Sequence, residues 1–199
     1  MTRTRVFQGV WNLPNVLTMA RVALIPVVCF YLVDDTPFSS IFAAAFYGVA
    51  AFTDYLDGYL ARKRKLESLF GKFMDPLADK LLVTATLVLM APMGRCPAWM
   101  VIVLIGRELF IAGLRTLAAV EGISIQVSTE GKYKTAFQLI GILCLIVHYP
   151  YRMELVVGGL DVDFHRAGVA MLLLAIVYSI LSAVTYVVGF VRAVQSRAG

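Results

Sequence analysis

The chain has 199 residues, of which 60% are hydrophobic and only 16% charged, against about 25% charged in an ordinary soluble domain. A mean hydropathy of +0.80 excludes a single soluble globular domain, and the length leaves room for about six membrane spans of roughly 20 residues each. The 18 Lys and Arg against 13 Asp and Glu give a formal net charge of +5, which basic cytoplasmic loops explain without a nucleic-acid partner.

Residues 1–12 read as a juxtamembrane segment, in which Val6, Phe7, Val10 and Trp11 form either a short interfacial helix or an unstructured tail. The first apolar run, Pro14 to Val33, is too long for a cleavable signal peptide and reads as a span that stays in the bilayer. Hydropathy and loop punctuation predict six spans, near 13–33, 39–60, 72–92, 97–119, 133–150 and 166–191. With no repeat and no Gly/Ser-rich linker, residues 13–199 read as one all-α integral membrane domain. The loop near 61–71 carries Arg62, Lys63, Arg64 and Lys65, and the next loop on that side carries Lys132 and Lys134. The opposite loops hold Asp34 and Asp35, then Arg95 alone, then Arg152 and Arg166 diluted by Glu154, Asp161 and Asp163. Together with Arg3, Arg5, Arg192 and Arg197, this asymmetry predicts both termini in the cytoplasm. His148 and His165 read as interfacial residues, and the widely spaced Cys29, Cys96 and Cys144 as small apolar ones.

Four carboxylates interrupt the apolar pattern. A charge at membrane depth costs at least about 2.5 to 3.5 kcal/mol, so it marks a function. Asp54 and Asp57 fall near the end of the second span, Asp75 and Asp79 near the start of the third, at matched depth inside one membrane face. Spacings of three and four project each pair along one helix face. Four such groups repel unless cations neutralise them, and an all-oxygen donor set selects a hard divalent ion, with room for two. Ion pairs with Lys80, Arg62 or Arg21 are the alternative. Gly58 and Gly71 leave room for a phosphate or nucleotide near the backbone, with Arg62 and Ser68 as donors to it.

Asp54, Asp57, Gly58, Ala61, Arg62, Gly71, Asp75 and Asp79, at these intervals, resemble the signature of the CDP-alcohol phosphotransferase family at all eight of its fixed positions. Three further segments, Asn12–Arg21, Gly106-Arg107-Glu108-Leu109 through Gly113-Leu114-Arg115, and Gly131–Thr135, are similar to the bacterial branch that makes phosphatidylglycerophosphate. The resemblance implies a six-helix homodimeric enzyme of the bacterial inner membrane, with its active site facing the cytoplasm. It implies two Mg²⁺ or Mn²⁺ ions on Asp54, Asp57 and Asp75, with Asp79 shared between metal binding and the role of general base. Asn15, Thr18, Gly58, Arg62, Ser68 and Gly71 would line the CDP moiety of CDP-diacylglycerol.

For the acceptor, Arg107 and Arg115 on the fourth span and Lys132 and Lys134 at the fifth suit a compound that itself carries a phosphate, as glycerol 3-phosphate does. The two lysines also fit ordinary positive-inside loop residues, and Arg107 also fits an ion pair with Glu108 or an aspartate of the cluster. The reaction expected from the resemblance is phosphatidyl transfer from CDP-diacylglycerol to glycerol 3-phosphate with release of CMP. Inositol phosphate and serine are the alternative acceptors. A cation transporter using the aspartates as an ion path is the reading from another class, and it calls for related halves or broken helices that the chain does not display.

Overall fold

The computed structural model describes residues 13–64, 69–123, 130–155 and 158–198, with side chains at 15–53, 74, 77, 78, 80–123, 131–150 and 162–196. The N-terminal segment expected over residues 1–12 lies outside them. Six helices run in the order α1 (Leu13–Val33), α2 (Pro37–Arg64), α3 (Leu69–Met90), α4 (Ala98–Val120), α5 (Glu130–Val147) and α6 (Phe164–Ala198). Between α5 and α6 lie two strands, β1 (Pro150–Leu155) and β2 (Gly158–Asp163). The chain divides into two compact units, Met1–Met93 with Ile146–Tyr149, and Gly94–Leu145 with Pro150–Gly199.

In the first unit α1 packs against α2 and α3, and α2 touches α3. Ala43, Ala44 and Ala50 form the buried small face of α2, against a core that includes Val28 and Leu32 of α1 and Ala78, Leu82 and Leu87 of α3. Small residues of this kind allow close backbone approach where the lipid offers no hydrophobic drive between helices. The start of α2 is written in Thr36-Pro37-Phe38-Ser39. Thr36 Oγ1 accepts from the Ser39 amide at 3.2 Å and Ser39 Oγ from the Thr36 amide at 3.0 Å, a reciprocal cap with proline in the first helical position. The preceding turn places Asp35 at φ 48°, and the Tyr149 hydroxyl donates to its carbonyl at 2.7 Å.

In the second unit α4 ends on Gly122 (φ 63°), whose amide donates to Ala119 while that of Ile123 donates to Ala118. That pair of bonds is a Schellman stop, which favours glycine because the left-handed position carries no Cβ penalty there. Asp163 starts α6, its Oδ1 accepting from the Arg166 amide at 3.0 Å. The 35 residues of α6 extend about 52 Å, well past the ~30 Å hydrocarbon core, so the helix is longer than the span expected at 166–191.

The expectation of an all-α chain is amended by the ribbon. β1 and β2 pair antiparallel from Pro150↔Asp163 to Leu155↔Gly158, in a stretch read from sequence as a loop. Two strands alone are marginal in water, and here β1 also touches α6.

The outer surface is apolar: Phe30, Phe38, Ile102 and Val120 are 70–78% exposed. A surface of this kind calls for a membrane rather than water around it. Asn15–Val33 and Phe164–Ser196 are long and apolar enough to cross one by themselves. The described residues are thus mostly helical, with two helices apolar and long enough to cross a membrane.

Candidate functional site

The site candidates fall in two groups, one in each unit. In the first, Asp54 and Asp57 lie on α2, and Asp75 and Asp79 on α3. Asp57 precedes the last residue of α2 by seven positions and Asp75 follows the first residue of α3 by six, about 10 and 9 Å along the two axes. The acidic pairs therefore stand at matched distance from the same connection, on helices that touch. Arg62, Gly58 and Gly71 lie on the same two helices. The side chains of these residues, and Ser68 altogether, lie outside the described set. Among the described residues no group of three or more metal-ligating side chains converges.

On α1, Asn15, Thr18 and Arg21 follow one another at intervals of three and are 1–2% exposed. They make a continuous polar stripe inside an apolar bundle. Buried groups of this kind need partners, and Arg21 Nε donates to the Ala50 carbonyl at 3.2 Å. The Thr53 hydroxyl donates to the same carbonyl at 2.8 Å. Ala50 lies four residues, about one turn, before Asp54, so Arg21 joins the stripe to the helical segment that carries the first acidic pair. Sequence reading named Asn15 and Thr18 as site residues but gave Arg21 only as a potential ion-pair partner; the signal that completes the set is its period of three with the other two.

In the second unit, Arg107 and Glu108 on α4 meet Lys134 on α5 and Ser179 on α6. Arg107 Nε donates to the Ser179 carbonyl at 3.0 Å, and its Nη1 lies 3.7 Å from Glu108 Oε1. Lys134 Nζ pairs with that same oxygen. The Ser179 hydroxyl is buried without a hydrogen-bond partner. Leaving such a group unsatisfied costs about 1–3 kcal/mol, more for a charged one, and in a native protein points to a bound water or ligand. Of the four cations expected to hold the acceptor, the structure thus brings Arg107 and Lys134 together. Arg115 lies two turns further along α4 with its guanidinium 5.7 Å from the centroid of the Tyr186 ring, and Lys132 is exposed. The pairing of Arg107 with Glu108 was readable as an option from their adjacency; the Lys134 contact, across 26 positions, was not.

The three cysteines are free. Cys96, buried in the link before α4, has its thiol pushed up to about 11 by burial, so it remains neutral at physiological pH and takes no part in nucleophilic chemistry.

Residues 11–195 match the sequence model of CDP-alcohol phosphatidyltransferase. The chain belongs to that family. Among similar proteins, the CDP-diacylglycerol--glycerol-3-phosphate 3-phosphatidyltransferase of Bacillus subtilis is 41% identical over 150 residues, covering 69% of this chain and 78% of the relative. An Arabidopsis thaliana protein with the same name, numbered 2, is 39% identical over 189 residues, covering 84% and 78%. A rice protein named cardiolipin synthase (CMP-forming) is 35% identical over 178 residues, covering 80% of this chain and 54% of its own length. As a CDP-alcohol phosphatidyltransferase, the chain is a transferase of phospholipid biosynthesis, in a family that generally depends on a divalent metal.

Proposed function

We propose that this enzyme transfers the phosphatidyl group of CDP-diacylglycerol to glycerol 3-phosphate, yielding phosphatidylglycerophosphate and CMP. The observation that carries the reading is the acidic signature from Asp54 to Asp79, set at matched distance from one connection on adjoining helices of a chain whose family match runs over residues 11–195. The names of the Bacillus and Arabidopsis relatives support the acceptor.

In this reading residues 13–199 act as one catalytic domain. Asp54, Asp57, Asp75 and Asp79 would hold two Mg²⁺ or Mn²⁺ ions, which when bound supply charge neutralisation at the donor's diphosphate and at the attacking and leaving oxygens. Asn15, Thr18, Gly58, Arg62, Ser68 and Gly71 bind and orient the nucleotide. Arg107 and Lys134, with Arg115 and Lys132, take the phosphate of the acceptor through charge-assisted hydrogen bonds. The acceptor's primary hydroxyl oxygen forms a bond to the lipid-side phosphorus as the bond from that phosphorus to the bridging diphosphate oxygen breaks. CMP leaves with the bridging oxygen, and Asp79 accepts the hydroxyl proton. The enzyme works as a homodimer in the bacterial inner membrane with its site on the cytoplasmic face, where soluble acceptor and CMP exchange.

The rice relative gives a second acceptor a specific basis, because cardiolipin is a phosphatidyl group joined to phosphatidylglycerol. The test is CMP release by the purified enzyme from CDP-diacylglycerol with Mg²⁺ or Mn²⁺, run in parallel with glycerol 3-phosphate, phosphatidylglycerol, inositol 1-phosphate and serine. Turnover confined to glycerol 3-phosphate is the expected result. Turnover with another acceptor alone overturns the acceptor assignment and leaves the donor site standing, whereas a cation transporter releases no CMP at all.

A further inference from the structure

We propose that Glu108 is a positioning residue for the acceptor's phosphate, holding the guanidinium of Arg107 and the ammonium of Lys134 side by side so that both address one anion. The inference rests on the glycerol 3-phosphate reading above and adds to it a carboxylate, which a simple search for phosphate-binding cations passes over.

The geometry is that of a bridge. Arg107 Nη1 and Lys134 Nζ come to one and the same oxygen, Glu108 Oε1, although the two cations belong to different helices. Without a shared counter-charge two neighbouring cations in a poorly solvated place repel and splay apart. Lys134 is 8% exposed, and its long stem has ample rotamer freedom to carry the ammonium elsewhere if nothing holds it. Arg107 is fixed from its other side, where Nε donates to the Ser179 carbonyl at 3.0 Å. That bond holds one edge of the planar guanidinium fork, whose shape matches phosphate geometry. The Ser179 hydroxyl, 1% exposed and without a hydrogen-bond partner, belongs to the same residue whose carbonyl Arg107 holds. Two cations converging on one oxygen, one of them bound to the residue that carries the orphaned hydroxyl, gather donors suited to an anion with several acceptor oxygens. A phosphate monoester supplies them.

Glu108 does not touch the reacting atoms in this arrangement, so its removal acts on acceptor binding and not on the chemical step. In steady-state assays of the full-length enzyme, Glu108→Gln is expected to raise KM for glycerol 3-phosphate roughly 10- to 100-fold, as for loss of one well-placed charged hydrogen bond. KM for CDP-diacylglycerol and kcat at saturating acceptor should change by no more than about threefold. Glu108→Asp, which keeps the charge on a shorter stem, should recover part of the acceptor KM. Combining Glu108→Gln with Lys134→Met should raise that KM by less than the product of the two single effects, since the two residues share a contact. An acceptor KM that stays put or falls in Glu108→Gln overturns the proposal, the latter because it would make Glu108 a competitor of the phosphate. A rise that appears equally in the donor KM overturns it too, as a structural defect. Failure of the underlying reading is seen in the wild type, as no turnover with glycerol 3-phosphate, and removes this inference with it; failure of this inference alone is seen only in the variants.

Discussion

At the scale of single residues, the chemistry turns on what Asp79 does. It lies ten positions into α3 and one turn beyond Asp75, the last member of the acidic signature. If Asp79 takes the hydroxyl proton, Asp79→Asn removes a base without removing size or the ability to hydrogen-bond. Turnover is expected to fall by about 10²- to 10⁴-fold, the usual contribution of a positioned base, while binding of CDP-diacylglycerol is largely kept. CMP release measured beside retention of labelled donor separates these effects, and near-normal turnover would take the role of base away from Asp79. The quartet was legible because a carboxylate in an apolar run carries so large a penalty that its presence is a statement. Glu108 was legible only as a neighbour of Arg107. Its tie to Lys134 depends on how α4 and α5 come together, and no periodicity within either helix encodes that.

At the scale of elements, helix number and type were readable from hydropathy: each expected span overlaps one of the six helices, although among the described residues only Asn15–Val33 and Phe164–Ser196 are apolar over a full bilayer's length. Their ends were readable only in part. α2 starts at Pro37 and α5 at Glu130, two and three residues before the expected spans, because a cap or a polar first turn lengthens a helix without adding hydropathy. The ribbon of β1 and β2 was missed although its signal is in the sequence: Tyr151, Met153 and Leu155 alternate with Arg152 and Glu154, and Leu160 and Val162 with Asp161 and Asp163. That is the period of two of a half-buried strand, but over stretches so short beside the apolar helices that they read as a link. The contact of α5 with α6 yields the prediction at this scale. A Cβ at Gly168 would stand 2.7 Å from Leu145 Cγ and 3.0 Å from the Gly141 carbonyl oxygen, and one at Gly141 would stand 3.1 Å from the Leu172 amide nitrogen. The backbones have approached until only hydrogen fits, as at small-residue crossings in membranes. Gly168→Val should therefore destabilise the protein by about 1–3 kcal/mol, the usual range for overpacking, visible as a lower midpoint of thermal unfolding in detergent. Gly113→Ala, where a Cβ would meet nothing within 4 Å, should leave that midpoint in place. Equal midpoints for Gly168→Val and wild type would show that α5 and α6 can part there at no cost.

At the scale of the whole molecule, the distribution of charge over the links sets the orientation. If all six helices span the membrane, as the sequence reading expects, the chain returns to the side from which it started. The end of α2 and the residue after it carry Arg62, Lys63, Arg64 and Lys65, and the start of α5 carries Lys132 and Lys134, whereas the link after α1 offers Asp34 and Asp35 with no cation. Insertion energetics keep Lys and Arg of short loops in the cytoplasm, and Asp and Glu contribute little to that choice. Both basic clusters, the ends of α2 and α4 and the acidic signature are then predicted on the cytoplasmic side, where the soluble acceptor is found. The argument is checked by single cysteines placed in a background in which Cys29, Cys96 and Cys144 are replaced. Asp34 and Glu121 are both exposed link residues, one on each predicted side. A membrane-impermeant maleimide applied to intact spheroplasts should label Asp34→Cys at once and Glu121→Cys only after the membrane is opened. The reverse pattern would place the acidic helix ends on the outer face, away from glycerol 3-phosphate, and would remove the acceptor assignment together with the topology.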